Sequence, residues 1–114
     1  VNLSGGQKQR LSIARALMKE ANILIFDDTF SALDFKTDSL IREDLRKYTK
    51  EQKATVLIVG QRVSSIMDSD QIIVLDQGIA CGAGSHQHLM QTCPVYQEIA
   101  SSQLTEEELV NVKR

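Results

Sequence analysis

Residues 23–28 read Ile-Leu-Ile-Phe-Asp-Asp, four consecutive apolar residues that stop on two adjacent carboxylates. A short apolar run without alternation predicts a strand buried on both faces. Residues 54–60, Ala-Thr-Val-Leu-Ile-Val-Gly, form a second such run, rich in β-branched residues. Between the two lies a helix-compatible stretch, with Asp34 placed to cap it and Ile41, Leu45 and Tyr48 on one side. Strands of this kind separated by amphipathic helices predict an α/β fold, a parallel sheet with helices on both faces. The two acids at the end of the first strand read as a place where a metal and a proton are handled.

Outward from that strand the chain punctuates itself clearly. Ser4-Gly5-Gly6 is a turn, with Ser4 a natural N-cap, and residues 7–20 follow as a helix. Leu11, Ala14 and Met18 fall at helical spacing, and Ile13 and Leu17 widen that face. Residues 62–67 predict a short helix. Residues 71–75 and 79–81 predict a hairpin turning at Asp76-Gln77-Gly78. Ser85 opens a helix to about residue 92, and Pro94 suits the first turn of another. Thr105-Glu106-Glu107-Glu108 reads as a capping box for a last helix. His86 and His88 are two apart, a poor spacing for a shared metal on a helix, and both read as surface or capping residues.

Composition narrows the function classes. The chain has 114 residues, 42% apolar, with a formal net charge of -2, which fits one soluble globular unit and not a disordered chain. An acidic balance without basic, aromatic-interleaved runs gives no footprint for nucleic acid. No stretch approaches the roughly 18 apolar residues of a membrane span. Two cysteines, Cys81 and Cys93, are too few and too far apart in sequence for a zinc site, and read as reduced thiols of a cytosolic protein. The chain starts without methionine, inside a loop, and reads as a piece of something longer.

Two places carry chemistry. Leu3-Ser4-Gly5-Gly6-Gln7 puts glycines, a hydroxyl donor and a helix N-terminus together, a combination suited to phosphate. By itself a Ser-Gly-Gly turn before a helix is usually only a turn. Asp27 and Asp28 suit a metal and a proton acceptor, but on their own two such acids more often simply cap a loop.

The order Leu-Ser-Gly-Gly-Gln at residues 3–7, the helix after it, Ile-Leu-Ile-Phe-Asp-Asp at residues 23–28, Ser31-Ala32-Leu33-Asp34 and Thr-Val-Leu-Ile-Val-Gly-Gln-Arg at residues 55–62 resembles the nucleotide-binding domain of ATP-binding cassette transporters. It covers the signature motif, the Walker B strand, the D-loop and the switch loop, in family order, within about sixty residues. The resemblance implies the C-terminal part of a P-loop NTPase, RecA-like core, plus a C-terminal hairpin and helices. It implies ATP and Mg2+ as cofactors. Ser4, Gly5, Gly6 and Gln7 would contact ATP held mainly by an opposite subunit. Asp27 would hold Mg2+, and Ser31 and Asp34 would lie across the subunit interface.

Two positions depart from the family. The general base is glutamate in the pattern and Asp28 here, a side chain one methylene shorter. The switch-loop histidine is Gln61 here, which donates a neutral hydrogen bond but relays no proton. Both departures fall on the site that uses this chain's own Walker B, while the signature motif is intact. That combination resembles the degenerate-site subunit of a heterodimeric exporter. Residues 71–78, 82–86 and 93–103 resemble the closing segment of multidrug-type exporter domains, except that His88 stands where an acid often completes the cap.

The resemblance therefore implies a second ABC half-transporter as partner, a transmembrane domain of the same parent chain, a position on the cytoplasmic face of the plasma membrane, and no nucleic acid. The open alternatives are a soluble ABC-type ATPase of repair or translation and a non-catalytic, ATP-dependent dimerisation module. No G-x-x-x-x-G-K-[ST] occurs in the sequence. The Walker A loop, Q-loop and membrane domain are expected upstream, and residues 1–114 are expected neither to bind ATP tightly nor to hydrolyse it alone.

Overall fold

A computed structural model describes residues 5–104, which fall into two compact units, one through Gln61 and one from Arg62 onward. The first runs α1 (Gly5–Leu17), β1 (Ile23–Asp27), α2 (Phe35–Gln52) and β2 (Thr55–Val59). The strands pair in parallel, from Ile23 opposite Thr55 to Asp27 opposite Val59. Asp34 caps α2 by accepting a hydrogen bond from the Thr37 amide at 2.9 Å. The helix ends at Lys53, left-handed at φ 55°, whose N–H returns to the Thr49 carbonyl.

Leu24 and Phe26 of β1 are buried with Ile13 of α1, Leu45 of α2, and Phe30 and Leu33 of the loop after β1. Ile41 and Tyr48 pack against this core as their spacing predicts. The Tyr48 hydroxyl also donates to the Leu17 carbonyl at 3.0 Å, tying α2 to the end of α1.

Three expectations change here. Burial of β1 alternates, with Ile23 and Ile25 more than 60% exposed. Among the described residues α1 and α2 pack on one face of the pair, and the other carries Ile23, Ile25, Leu57 and Val59 in the open. The α/β class and the parallel pairing stand as read; the covering of both faces is met on one. The inner side of α1 also differs. Leu11 and Met18 are exposed, whereas Ile13, Ala16 and Leu17 face the sheet. The helix stops at Leu17 rather than residue 20, because the next amides tighten to the Ala16 and Leu17 carbonyls and Glu20 turns left-handed.

The second unit runs α3 (Val63–Ile66), β3 (Ile72–Asp76), β4 (Ile79–Gly84), α4 (His86–Thr92) and α5 (Pro94–Gln103). β3 and β4 pair antiparallel across a two-residue turn, Gln77-Gly78, with both φ positive at 53° and 76°. That is the turn whose twist matches a hairpin, and glycine at its second position relieves the left-handed strain. β4 continues three residues past its expected end. Ile72 and Val74 face a core of Val63, Leu89, Cys93, Tyr96, Ala100 and Leu104.

Ser85 caps α4 by accepting from the His88 amide at 3.1 Å, so the cap forms without an acid at that position. His86 is not a surface residue. It is 3% exposed, with Nδ1 2.6 Å from the Tyr96 hydroxyl. Ser4 as a cap and the helix expected from Thr105 lie outside the described residues.

Candidate nucleotide-contacting site

The parallel pair brings two chain segments to one edge. β1 delivers Asp27 and Asp28 there, and β2 delivers Gly60 and Gln61. Asp28 takes a left-handed conformation at φ 57°, which short polar side chains tolerate better than most. Its N–H donates to the Val59 carbonyl at 2.7 Å, continuing the ladder one residue beyond β1. Its carbonyl accepts from the Ser31 hydroxyl at 3.1 Å and from Gln9 Nε2 at 3.4 Å. The backbone of Asp28 is thus held on both sides, and its carboxylate hangs from a fixed point in solvent.

Gln9 organises the loop that follows. Its Oε1 accepts the Ala32 amide at 3.0 Å, while Nε2 reaches both the Asp28 carbonyl and, at 3.4 Å, Ser31 Oγ. Sequence reading passed over Gln9 in favour of Gln7. The only signal for it is its position in the first turns of α1, from which a side chain can span to the loop. Gly6 approaches the same loop closely, since a Cβ there would meet the Ala32 carbonyl oxygen at 3.3 Å. Gly6 is therefore explained in part by packing against Ala32 and Leu33.

Gly5, Gly6 and Gln7 occupy the first turn of α1, the end of a helix that carries partial positive charge. Ser31 and Asp34 sit in the loop pinned by Gln9, both exposed. Asp34 is held below the usual carboxylate range by its hydrogen bonds from Thr37, with the Arg10 charge adding to the effect. The first unit thus brings together Gly6, Gln9, Asp28, Ser31 and Ala32 by contact, and places Asp27 and Gln61 at the same sheet edge. Ser4 lies outside the described residues.

Among the described residues no group of three or more His, Cys, Asp or Glu could enclose a metal ion. One or two exposed carboxylates at a strand end do suit a hard cation that keeps most of its waters and shares phosphate oxygens, the habit of Mg2+. They do not suit zinc, which takes nitrogen and sulfur in a closed set.

Comparison with known proteins agrees with this geometry. A family model described as ABC transporter matches residues 1–31. An uncharacterized ABC transporter ATP-binding protein of Mycobacterium tuberculosis is 48% identical over 103 residues, 90% of this chain and 17% of the relative. An ATP-dependent lipid A-core flippase of Francisella tularensis is 40% identical over 90% of this chain and 16% of its own length. A bacterial Atm1-family ABC exporter, solved with ATP bound, matches with a TM-score of 0.82 at 42% identity, over 91% of this chain and 18% of the other. The chain is homologous to the ATP-binding domains of ABC exporters.

It spans less than a fifth of the length of these ABC relatives. The α/β arrangement, a parallel pair with helices and a following hairpin, is that of an ABC exporter nucleotide-binding domain and is consistent with the P-loop NTPase fold. Similarity to the ABC family implies ATP as the nucleotide. Among the described residues no helix is long and apolar enough to cross a membrane.

Proposed function

We propose that residues 1–114 are the C-terminal portion of one ABC nucleotide-binding domain, in a parent chain that powers export by ATP-driven dimerisation at the cytoplasmic face of the membrane. Ser4, Gly5, Gly6 and Gln7 complete a partner half-transporter's ATP site. Asp27 holds Mg2+ at this chain's own site, where the ion would neutralise phosphate charge. Asp28 is the base facing the attacking water, Gln61 the switch-loop contact to the γ-phosphate, and Ser31 and Asp34 lie at the interface between subunits.

The observation that carries this reading is the tethering of Asp28. Its backbone is bonded to Val59, Ser31 and Gln9, so the chain has little freedom to advance a carboxylate one methylene short of glutamate. A shortfall of roughly an ångström at a reacting group lowers rate on the order of a hundredfold. Gln61 adds a second deficit, because an amide relays no proton. This chain's own site is therefore the weak one of a heterodimer, and its signature motif serves the strong one.

The same two substitutions support a second reading, in which the pair of sites only stabilises a dimer. Steady-state ATPase assays separate them. The parent chain alone is expected to be nearly silent, and the co-purified pair to turn over. Strong turnover by the parent chain alone contradicts the degenerate site, and a silent pair favours the non-catalytic module.

A further inference from the structure

Gln9 joins two segments that serve different nucleotides. It follows the first turn of α1, which holds Gly5, Gly6 and Gln7, and its side chain reaches the loop after β1. The amide is used at both ends. Oε1 accepts the Ala32 N–H at 3.0 Å, which fixes that end as oxygen, since a backbone N–H can only donate. Nε2 therefore faces two acceptors, the Asp28 carbonyl and Ser31 Oγ, each at 3.4 Å. The Ser31 hydroxyl gives its own proton to the same carbonyl at 3.1 Å, so it meets Gln9 as an acceptor. One side chain thus binds three residues far along the sequence.

Two further observations hold the helix and the loop together on that face. Gly6 is three residues before Gln9, so the two share one side of α1. A Cβ at Gly6 would meet the Ala32 carbonyl oxygen at 3.3 Å and Leu33 Cδ2 at 3.7 Å, so the backbones approach closely there. Ile13, four residues after Gln9, is buried in the same core as Leu33. The N-terminal end of α1 can move relative to residues 28–33 only by breaking the Gln9 bonds.

We propose that Gln9 is a positioning residue that couples the two ATP sites of the assembled transporter. This rests on the reading that Gly5, Gly6 and Gln7 meet the partner's nucleotide while Asp28 faces this chain's own. Phosphate bound at the first turn of α1 restrains that end of the helix. Gln9 passes the restraint to Asp28, Ser31 and Ala32 through its three hydrogen bonds. Coupling between binding sites is reciprocal, so nucleotide that orders Asp28 and its loop also restrains the turn that meets the partner's nucleotide.

The test is amide hydrogen exchange on the parent chain co-purified with its partner, the parent's Walker A lysine being substituted so that ATP fills the partner's site only. Without further change, ATP is expected to slow exchange severalfold at residues 5–7 and also at residues 28–34. Gln9→Ala should keep the slowing at residues 5–7, which also shows that the variant is folded, and lose it at residues 28–34. Gln9→Asn, one methylene too short to span to the loop, should behave like Gln9→Ala. Lys8→Ala, at an exposed neighbour on the same helix, should behave like the unsubstituted residue. Slowing at residues 28–34 that survives Gln9→Ala would overturn the proposal alone. So would its absence from the start while residues 5–7 slow. No slowing at residues 5–7 in any variant would overturn the proposal together with the reading beneath it, since α1 then does not meet the partner's nucleotide.

Discussion

Asp28 donates its backbone N–H to the Val59 carbonyl at 2.7 Å, so the end of β2 fixes the first residue beyond β1. The loop from residue 28 to 34 starts from a fixed backbone, and every side chain it presents inherits that position. Asp28→Glu is therefore expected to extend the carboxylate without moving its base. If Asp28 faces the attacking water, turnover at this chain's own site should rise by roughly ten- to a hundredfold in the parent transporter. Glutamate tolerates the left-handed φ of 57° less well, so a small loss of stability should accompany the gain. Single-turnover ATPase with the partner's site blocked reads this directly. Unchanged turnover would remove Asp28 from the role of base.

Gln9 supplies an acceptor and donors to one loop. Gln9→Ala is expected to remove its bond from the Ala32 amide and its contacts to Asp28 and Ser31. The site is exposed and water can replace some of these bonds, so the loss should be about 0.5–1.5 kcal/mol in urea unfolding. Turnover should fall by more than stability, because Asp28 and Ser31 lose their shared brace. Gln9→Glu keeps the acceptor for Ala32 but sets a carboxylate against the Asp28 carbonyl, and should not rescue turnover.

The parts of this fold legible in the sequence were those decided by neighbours. The cap from Asp34 to Thr37, the turn at Gln77-Gly78 and the extents of β1 and β2 depend on residues a few positions apart. What failed depended on distant residues. Helical spacing in α1 admits two overlapping stripes, and only Leu24 and Phe26 on β1 select Ile13 and Leu17 over Leu11 and Met18. His86 looks like a surface residue until Tyr96 takes its ring nitrogen. Motif order singles out Asp27, Asp28 and Gln61 as candidates, and the strand pairing puts them at one sheet edge, while Gln9 emerges only from its hydrogen bonds.

The two faces of β1 should answer differently to substitution in the 114-residue chain. Leu24 is 4% exposed within the core of the first unit, and Leu24→Ala should cost about 2–5 kcal/mol. Ile25 is 63% exposed on the bare face, and Ile25→Thr should change stability by no more than about 0.5 kcal/mol. It should also reduce self-association, since an exposed apolar strand face invites pairing with other chains. Urea unfolding and sedimentation of the two variants check this. Equal destabilisation by both would mean that the second face is covered in solution.

His86 makes the second unit sensitive to acid. Its ring is buried, Nδ1 is paired with Tyr96, and Nε2 has no hydrogen-bond partner among the described residues. Burial lowers its pKa from the ordinary 6.5, since the imidazolium would be cut off from water, and the same burial raises Tyr96 to about 12. The unfolded chain takes up a proton as pH falls through about 6.5, while folded His86 resists until its own lower pKa. Between those two values the unfolded state binds more protons, so stability falls with falling pH; above 6.5 the penalty is absent. The unfolding midpoint of the wild type should drop across this window, and that of His86→Asn should drop less. Tyr96→Phe strips the second ring nitrogen of its partner and should cost about 1–2 kcal/mol at neutral pH. A wild type and His86→Asn with the same pH profile would mean that the histidine charges without leaving the fold.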